Sequence, residues 1–347
     1  MIDRLIKENR CFALYRLPQE DHIHFIRQKN DSSVFLYQMS DLNNQNAYII
    51  APFHITPQHP IVLIRPDQEE IWPIPNIPVA VEQKPAIESV PTDDYHHHFA
   101  LFSNAVKTNQ FEKLVLTRSK EIRRDHSFSP EQTFYTACKK YIYSYVYIYH
   151  TPQTGTWIGC TPEILLSGKG KQWQTVALAG TQPLQGDKLP TEWDDKNKQE
   201  QSMVAAYIRK QLSLYDLSPT EKEPHTVRAG KLTHLKSDFY FSMSDNNRLG
   251  DLLNDLHPTP ATCGLPKDKA LQFIIEQEGY NRSYYSGFIG RLQPNKQTDI
   301  YVNLRCMRVE KQTLTLYAGG GILPSSELND EWIETENKLQ TMLTLSK

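Results

Sequence analysis

No stretch of about 18 consecutive apolar residues occurs anywhere in the 347-residue chain, so no helix able to cross a bilayer is expected. An excess of charge of one sign is also missing. The 38 Lys and Arg against 40 Asp and Glu leave a formal net charge of −2, which gives no electrostatic footprint for nucleic acid or an anionic membrane. Cysteine is scarce. Cys11, Cys138, Cys160, Cys263 and Cys306 are odd in number, scattered and without CxxC spacing, which fits reduced thiols in a cytoplasmic setting and says nothing of function. The first ten residues, MIDRLIKENR, lack the apolar core of a signal peptide, so a cytoplasmic location is expected. Three glycines stand together in AGGGIL but lack the GxGxxG spacing ahead of a helix, which excludes a dinucleotide loop. Internal repeats and low-complexity segments are absent.

What is present is an ordinary globular composition, 39% hydrophobic and 22% charged, in a chain long enough to bury a large core. The first ~70 residues read as short strands: CFALYRL, HIHFI, VFLYQM, AYIIAPF and IVLIRP are β-branched or aromatic runs broken by polar and Pro-containing turns. Pro73, Pro75, Pro78, Pro85 and Pro91 then mark a stiff linker. A helix is expected over about 93–108 and a strand over 113–118. Three strands follow in YSYVYIYH, EILLSG and QWQTVALAG, then a polar loop from Asp187 to Asp195, a helix over about 196–215 and strands around 226–244. Pro266 suits the first position of a helix ending near Glu278. YYSGFIGRL, DIYVNLRCMRV and TLTLYAGG read as strands, and Ser325 or Ser326 as the N-cap of a last helix. Strand groups interrupted by single helices favour an α+β fold with antiparallel sheets over a doubly wound one.

The last helix is the most informative element. At about 100° per residue, Leu328, Trp332, Thr335, Leu339 and Met342 form its buried stripe, and Glu331, Glu334 and Lys338 lie together beside it. Charged groups at the edge of a buried stripe are costly without partners. The helix near residue 200 repeats the pattern, with Glu200 on the face of Met203, Val204 and Tyr207. Carboxylates converging from two helices suit a hard cation such as Mg²⁺. Surface glutamates paired with lysines four residues away fit the same spacing. His96, His97 and His98 are adjacent on a helix, point in different directions and read as a solvated patch.

Nine segments settle the class. FEKLVLTR, TPE, LAGT, DKNKQE, HPTPATCG, EGYNRSYYSG, NLRCM, YAGGGIL and DEWIETENK occur in one order over about 230 residues, roughly two-thirds of the chain. Together they resemble the chorismate-utilising (chorismate-binding) enzymes, which include isochorismate synthases, salicylate synthases and the synthase components of anthranilate and aminodeoxychorismate formation. The resemblance implies one large domain over 1–347, with two antiparallel sheets packed face to face and helices outside. Residues 1–90 would be a β-rich part of it, and 91–347 the catalytic part that carries the motifs.

Carried over residue by residue, the resemblance implies that Glu200 and Glu334 are Mg²⁺ ligands and Glu331 a further or water-mediated one. The family often has His directly after the first acid; here it is Gln201. Arg305 and Lys338 would hold substrate carboxylate, for which a planar guanidinium is well suited. Gly180 and Thr181, with Gly320 and Gly321, would bring backbone close to the ligand. His234 and Tyr285 would line the pocket, although a satisfied buried histidine and a core tyrosine fit these positions as well.

The same resemblance orders the chemistry. Attack at C2 of chorismate with loss of the C4 hydroxyl needs a base and an acid. In the water-using members these match Lys113 and Glu163. The ammonia-using members usually carry glutamine at the first position and a Pro-Ile-Ala-Gly or Pro-Ile-Lys-Gly loop, where this chain has Ala177-Leu178-Ala179-Gly180. The expectation is therefore an isochorismate synthase without a glutaminase subunit, and menaquinone formation is taken as the route it serves. A salicylate synthase, which goes on to eliminate pyruvate, and a catalytically silent chorismate-binding subunit are the alternatives.

Overall fold

In the computed structural model, residues 1–77, 86–184, 186 and 188–346 are described; Pro78, Pro85 and Asp187 lie outside them. Two antiparallel sheets of nine strands each make up the centre. In spatial order the first holds Gly264–Leu265, Lys113–Arg123, Thr313–Ile322, Cys306–Val309, Gly155–Thr161, Tyr145–Thr151, Phe12–Arg16, His22–Arg27 and Gln68–Pro73. The second holds Thr220–Ala229, Leu232–Ser242, Gln172–Pro183, Ile164–Lys169, Gln297–Val302, Phe288–Leu292, Ala47–Ala51, Ile61–Ile64 and Val34–Leu36. The β-rich first 77 residues supply three strands to each sheet, so they belong to the same body as the rest.

The sheets face each other across an aromatic layer. Tyr15, Tyr145, Tyr147, Tyr149 and Trp157 of the first sheet meet Tyr48, Ile50, Ile289 and Tyr301 of the second. The outer faces are covered by helices: Pro130–Lys140 and Leu328–Leu343 on the first sheet, Asp195–Ser213 and Leu249–Leu256 on the second. Asp93–Lys107 and Lys267–Gln277 close the end near Lys113, packing with Trp332. Both faces of a central strand are therefore buried, which explains why Tyr145–Thr151 is buried at every residue instead of alternating. The α+β class with two packed antiparallel sheets and outer helices is what the sequence pattern and the resemblance lead one to expect.

Several details differ. DIYVNLRCMRV is two strands in different sheets, Gln297–Val302 in the second and Cys306–Val309 in the first. The chain makes a similar change between Gly155–Thr161, which has no counterpart in the sequence reading, and Ile164–Lys169. The two crossovers are bonded to each other. Val302 N–H donates to Glu163 O at 2.9 Å, and Cys160 N–H donates to Arg305 O at 3.0 Å. Neither Ser325 nor Ser326 caps the last helix. Its N-cap is Glu327, without a side-chain bond; Ser326 is buried, and its Oγ accepts from Leu323 N–H at 3.0 Å. Pro266 stands one place earlier than expected, as the N-cap of Lys267–Gln277. The helices Ile2–Lys7, Pro130–Lys140 and Leu249–Leu256 were not foreseen. Of the three histidines, His96 and His97 are exposed, but His98 departs from a solvated patch: its Nδ1 bonds Gln277 O at 2.8 Å, tying two helices.

Candidate active site

A cleft opens where the two crossovers meet the ends of strands from both sheets. Counting its open mouth it encloses about 640 Å³. Ten of the expected residues line it: Glu163, Gly180, Thr181, Glu200, His234, Tyr285, Arg305, Gly320, Gly321 and Lys338. Lys113, Glu331 and Glu334 are not in its lining; they sit behind the glycines of the strand Thr313–Ile322.

Those glycines explain the arrangement. A Cβ on Gly321 would lie 2.2 Å from Glu200 Oε1 and 2.9 Å from Lys113 Cε; one on Gly320 would lie 2.9 Å from Glu331 Oε2 and 3.7 Å from Glu334 Oε1. Only backbone without side chains lets the carboxylates of two helices close on one strand. Gly180 does the same in Gln172–Pro183 of the second sheet. It sits at φ +75°, 3.1 Å in the same sense from the Asn197 side chain, and Asn197 Oδ1 accepts from Thr181 N–H at 2.9 Å. Asp194 caps this helix by accepting from Asn197 N–H at 2.8 Å, so LAGT is pinned to the helix that carries Glu200.

Each of the three glutamates has its own lysine. Lys113 Nζ, fully buried, lies 2.7 Å from Glu200 Oε1. Lys338 Nζ lies 2.5 Å from Glu334 Oε1 and donates to Gly319 O at 2.7 Å. Lys196 pairs with Glu331, which is wholly buried. Among the described residues the three carboxylates do not gather within 4.8 Å of one another. The convergence inferred from the helix faces is thus a shared border at Gly320 and Gly321, with lysines between the acids. Lys196 escaped the sequence reading, although it lies one turn before Glu200 on the same helix.

The charges tune one another. Burial disfavours ionised Glu200, but Lys113, with Lys338 and Lys196 beyond it, outweighs burial and holds it below the usual carboxylate range. Glu331 is pushed up to about 7 by burial and by Glu334, against the pull of Lys196. Glu163 is pushed up to about 8, chiefly by burial, with Lys113 and Lys338 acting the other way. Its Oε1 is buried without a partner. A carboxyl group in that state carries a proton near neutrality and can donate it.

Arg305 occupies the second crossover at φ +48°, a conformation rare outside glycine and held here by the surrounding hydrogen bonds. Asn303, two residues earlier, is clamped by a bond from the Tyr147 hydroxyl and donates to Tyr284 O at 2.7 Å. Arg305 is buried, and the structure gives its guanidinium His234 as a neighbour, leaving donors toward the cleft. Tyr285 stacks on Tyr317 at 5.1 Å and forms the aromatic wall. Its loop is anchored by the buried pair Glu278–Arg282. Glu278 accepts from Thr117 N–H at 2.7 Å, while Arg282 donates to Val115 O at 2.9 Å and Thr262 O at 2.7 Å. Both lie inside EGYNRSYYSG, yet neither was singled out from sequence. Gln201 points away from the cleft and donates to Ser237 Oγ at 2.8 Å, so the departure from histidine falls behind the site.

A two-sheet α+β enzyme with a cleft of paired acids and lysines at its sheet crossovers is the class that fold and site define. A family model described as "Chorismate binding enzyme" matches residues 31–346, and the chain belongs to that family. Isochorismate synthase MenF of Escherichia coli is 30% identical over 257 residues, 71% of this chain and 58% of that protein. Isochorismate synthase DhbC of Bacillus subtilis is 27% identical over 274 residues, 74% of this chain and 69% of that protein. The chain thus spans less than two-thirds of the length of the first of these relatives. A solved structure of a putative 2,3-dihydroxybenzoate-specific isochorismate synthase from Bacillus anthracis superposes with a TM-score of 0.81 at 22% identity, covering 99% of each chain.

Proposed function

We propose that the protein is an isochorismate synthase, an isomerase that adds water at C2 of chorismate and expels the C4 hydroxyl, with Mg²⁺ as cofactor and no glutaminase partner. The observation that carries this reading is the pair of candidate proton-transfer groups at one cleft, Lys113 behind Gly321 and Glu163 in the lining, its carboxyl held toward the protonated form by burial. The names of the similar proteins support the same reaction. Arg305 and Lys338 supply positive charge for the substrate carboxylates. Glu163 donates its proton to the departing hydroxyl. Lys113, once its ion pair with Glu200 is open and it has given up its own proton, accepts the proton of the attacking water.

The residues fit the metal. Three carboxylates form an all-oxygen donor set, and Glu331 Oε2 is buried without a hydrogen-bond partner. Glu200, Glu334 and Glu331 would hold Mg²⁺, which when bound draws charge from the ring carboxylate and orients the ring. We take menaquinone formation as the route served, on the MenF relatives, with cytoplasmic location following from that route.

The test is incubation with chorismate and Mg²⁺ followed by product identification. Isochorismate is expected in an incomplete, reversible conversion that EDTA abolishes. Pyruvate released in step with chorismate loss would move the assignment to a salicylate synthase, and no turnover would make the chain a binding subunit.

A further inference from the structure

The edge of the first sheet remote from the cleft carries a second constellation. Glu20 ends the turn after Phe12–Arg16, and His22 and His24 follow at alternate positions of the strand His22–Arg27, so both imidazoles project from one face. Glu20 Oε2 lies 2.9 Å from His24 Nε2 and 3.5 Å from His22 Nε2, and the three donor atoms all fall within 4.8 Å of one another. Ligands at about 2.0–2.1 Å from a tetrahedral ion stand roughly 3.3 Å apart. The group is only partly exposed, with side chains open by 29%, 31% and 25% at Glu20, His22 and His24.

Two neighbours orient the rings. His24 stacks on Tyr15 at 4.7 Å and 9°. Asp21 Oδ1 lies 3.1 Å from His22 Nδ1, the placement of the outer carboxylate that fixes a metal-bound imidazole. With Nδ1 turned to Asp21, Nε2 is the ring nitrogen that faces Glu20 and His24, the atom a metal ion would take.

We propose that Glu20, His22 and His24 form a binding site for a divalent transition-metal ion of the Zn²⁺ class, with water in the fourth position and Asp21 orienting His22. Two imidazoles and one carboxylate favour such an ion over Mg²⁺, so this site is chemically distinct from the glutamates of the cleft. Its occupation ties the turn at Glu20 to the strand His22–Arg27, and the site lies far from Lys113–Arg123 and Thr313–Ile322, the cleft strands at the other end of the same sheet.

The experiment is titration of the tag-free chain with Zn²⁺, and with Co²⁺ as a spectroscopic substitute, in excess Mg²⁺ to occupy hard-oxygen sites. Wild type should take up one equivalent, with the visible absorption of four-coordinate Co²⁺. Replacing both histidines (His22→Gln with His24→Gln) should abolish uptake while turnover of chorismate stays the same. Asp21→Asn should weaken binding by about 10- to 100-fold. Absence of stoichiometric uptake by wild type, or equal uptake by the double variant, would overturn the proposal.

Discussion

Arg305 Nη2 lies 3.1 Å from His234 Nε2, and the direction of that bond is set on the far side of the ring. His234 Nδ1 is 2.8 Å from Gly180 O, which can only accept, so the network assigns the proton to Nδ1 and makes Nε2 the acceptor from the guanidinium. Burial and the charge of Arg305 push the imidazole down to about 3, so it stays neutral at any working pH. His234 therefore positions Arg305 and takes no proton in the reaction.

The consequence is kinetic. His234→Ala should raise KM for chorismate by about tenfold, the worth of one hydrogen bond to a charged group, with a smaller change in kcat. The shape of the pH–rate profile should be unchanged. A lost alkaline or acid limb in this variant would mean that His234 itself transfers a proton.

Glu163 gives a pH signature in stability. Its folded-state value near 8 exceeds that of an exposed glutamate, so between about 4.5 and 8 the folded chain binds more proton than the unfolded one. Its contribution is fully present below that window and is lost as pH rises through it. In EDTA, wild type should lose stability over this range, and Glu163→Gln, which stays neutral, should lose less. The same variant should lose isomerisation by about 10²- to 10⁴-fold, since an amide gives no proton to the leaving hydroxyl. Parallel stability curves for the two proteins would show Glu163 to be ionised.

Lys196 faces a wholly buried carboxylate. Lys196→Met leaves Glu331 without its counter-charge; the carboxyl, already at about 7 beside Lys196, then holds its proton to higher pH, so in metal-free protein stability is lost mainly above about pH 7, where Glu331 of wild type is ionised and paired. Thermal melting in EDTA should fall accordingly. Calorimetric affinity for Mg²⁺ without substrate should rise by roughly tenfold, because the cation no longer competes with an ammonium. Unchanged affinity would show that Glu331 takes no part in holding the ion.

Gly321 tests the packing of the acids directly. A methyl there meets Glu200 Oε1 at 2.2 Å and Lys113 Cε at 2.9 Å, whereas one at Gly320 meets Glu331 Oε2 at 2.9 Å. Gly321→Ala should reduce turnover by about 10²-fold or more, the scale of a 1 Å misplacement, and exceed the loss in Gly320→Ala. Equal, small losses would mean that Glu200 and Lys113 retreat freely.

The motifs made the class and most of the cleft legible. LAGT, NLRCM and YAGGGIL are local words whose glycines and arginine keep their meaning wherever the chain bends. The partners of the acids were harder to read. Lys196 meets Glu331 across 135 positions of sequence, and no periodicity within either helix announces a contact between helices. The crossover at Asn303–Arg305 was missed for a related reason: it is only three residues long, without Gly or Pro, between two buried strands, so nothing in its composition marks the change of sheet.

That change of sheet bears on how the protein can be recombined. Glu163 and Arg305 sit in the two stitches between the layers, and the stitches hold each other through Val302 and Cys160. A chimera that took one crossover from this chain and the other from a distant relative would join two foreign seams at the reacting centre. Such hybrids should fold and yet be inactive, whereas exchanges that carry residues 160–163 and 302–305 together should keep their chemistry. The unit of inheritance for this site is the seam, not the strand.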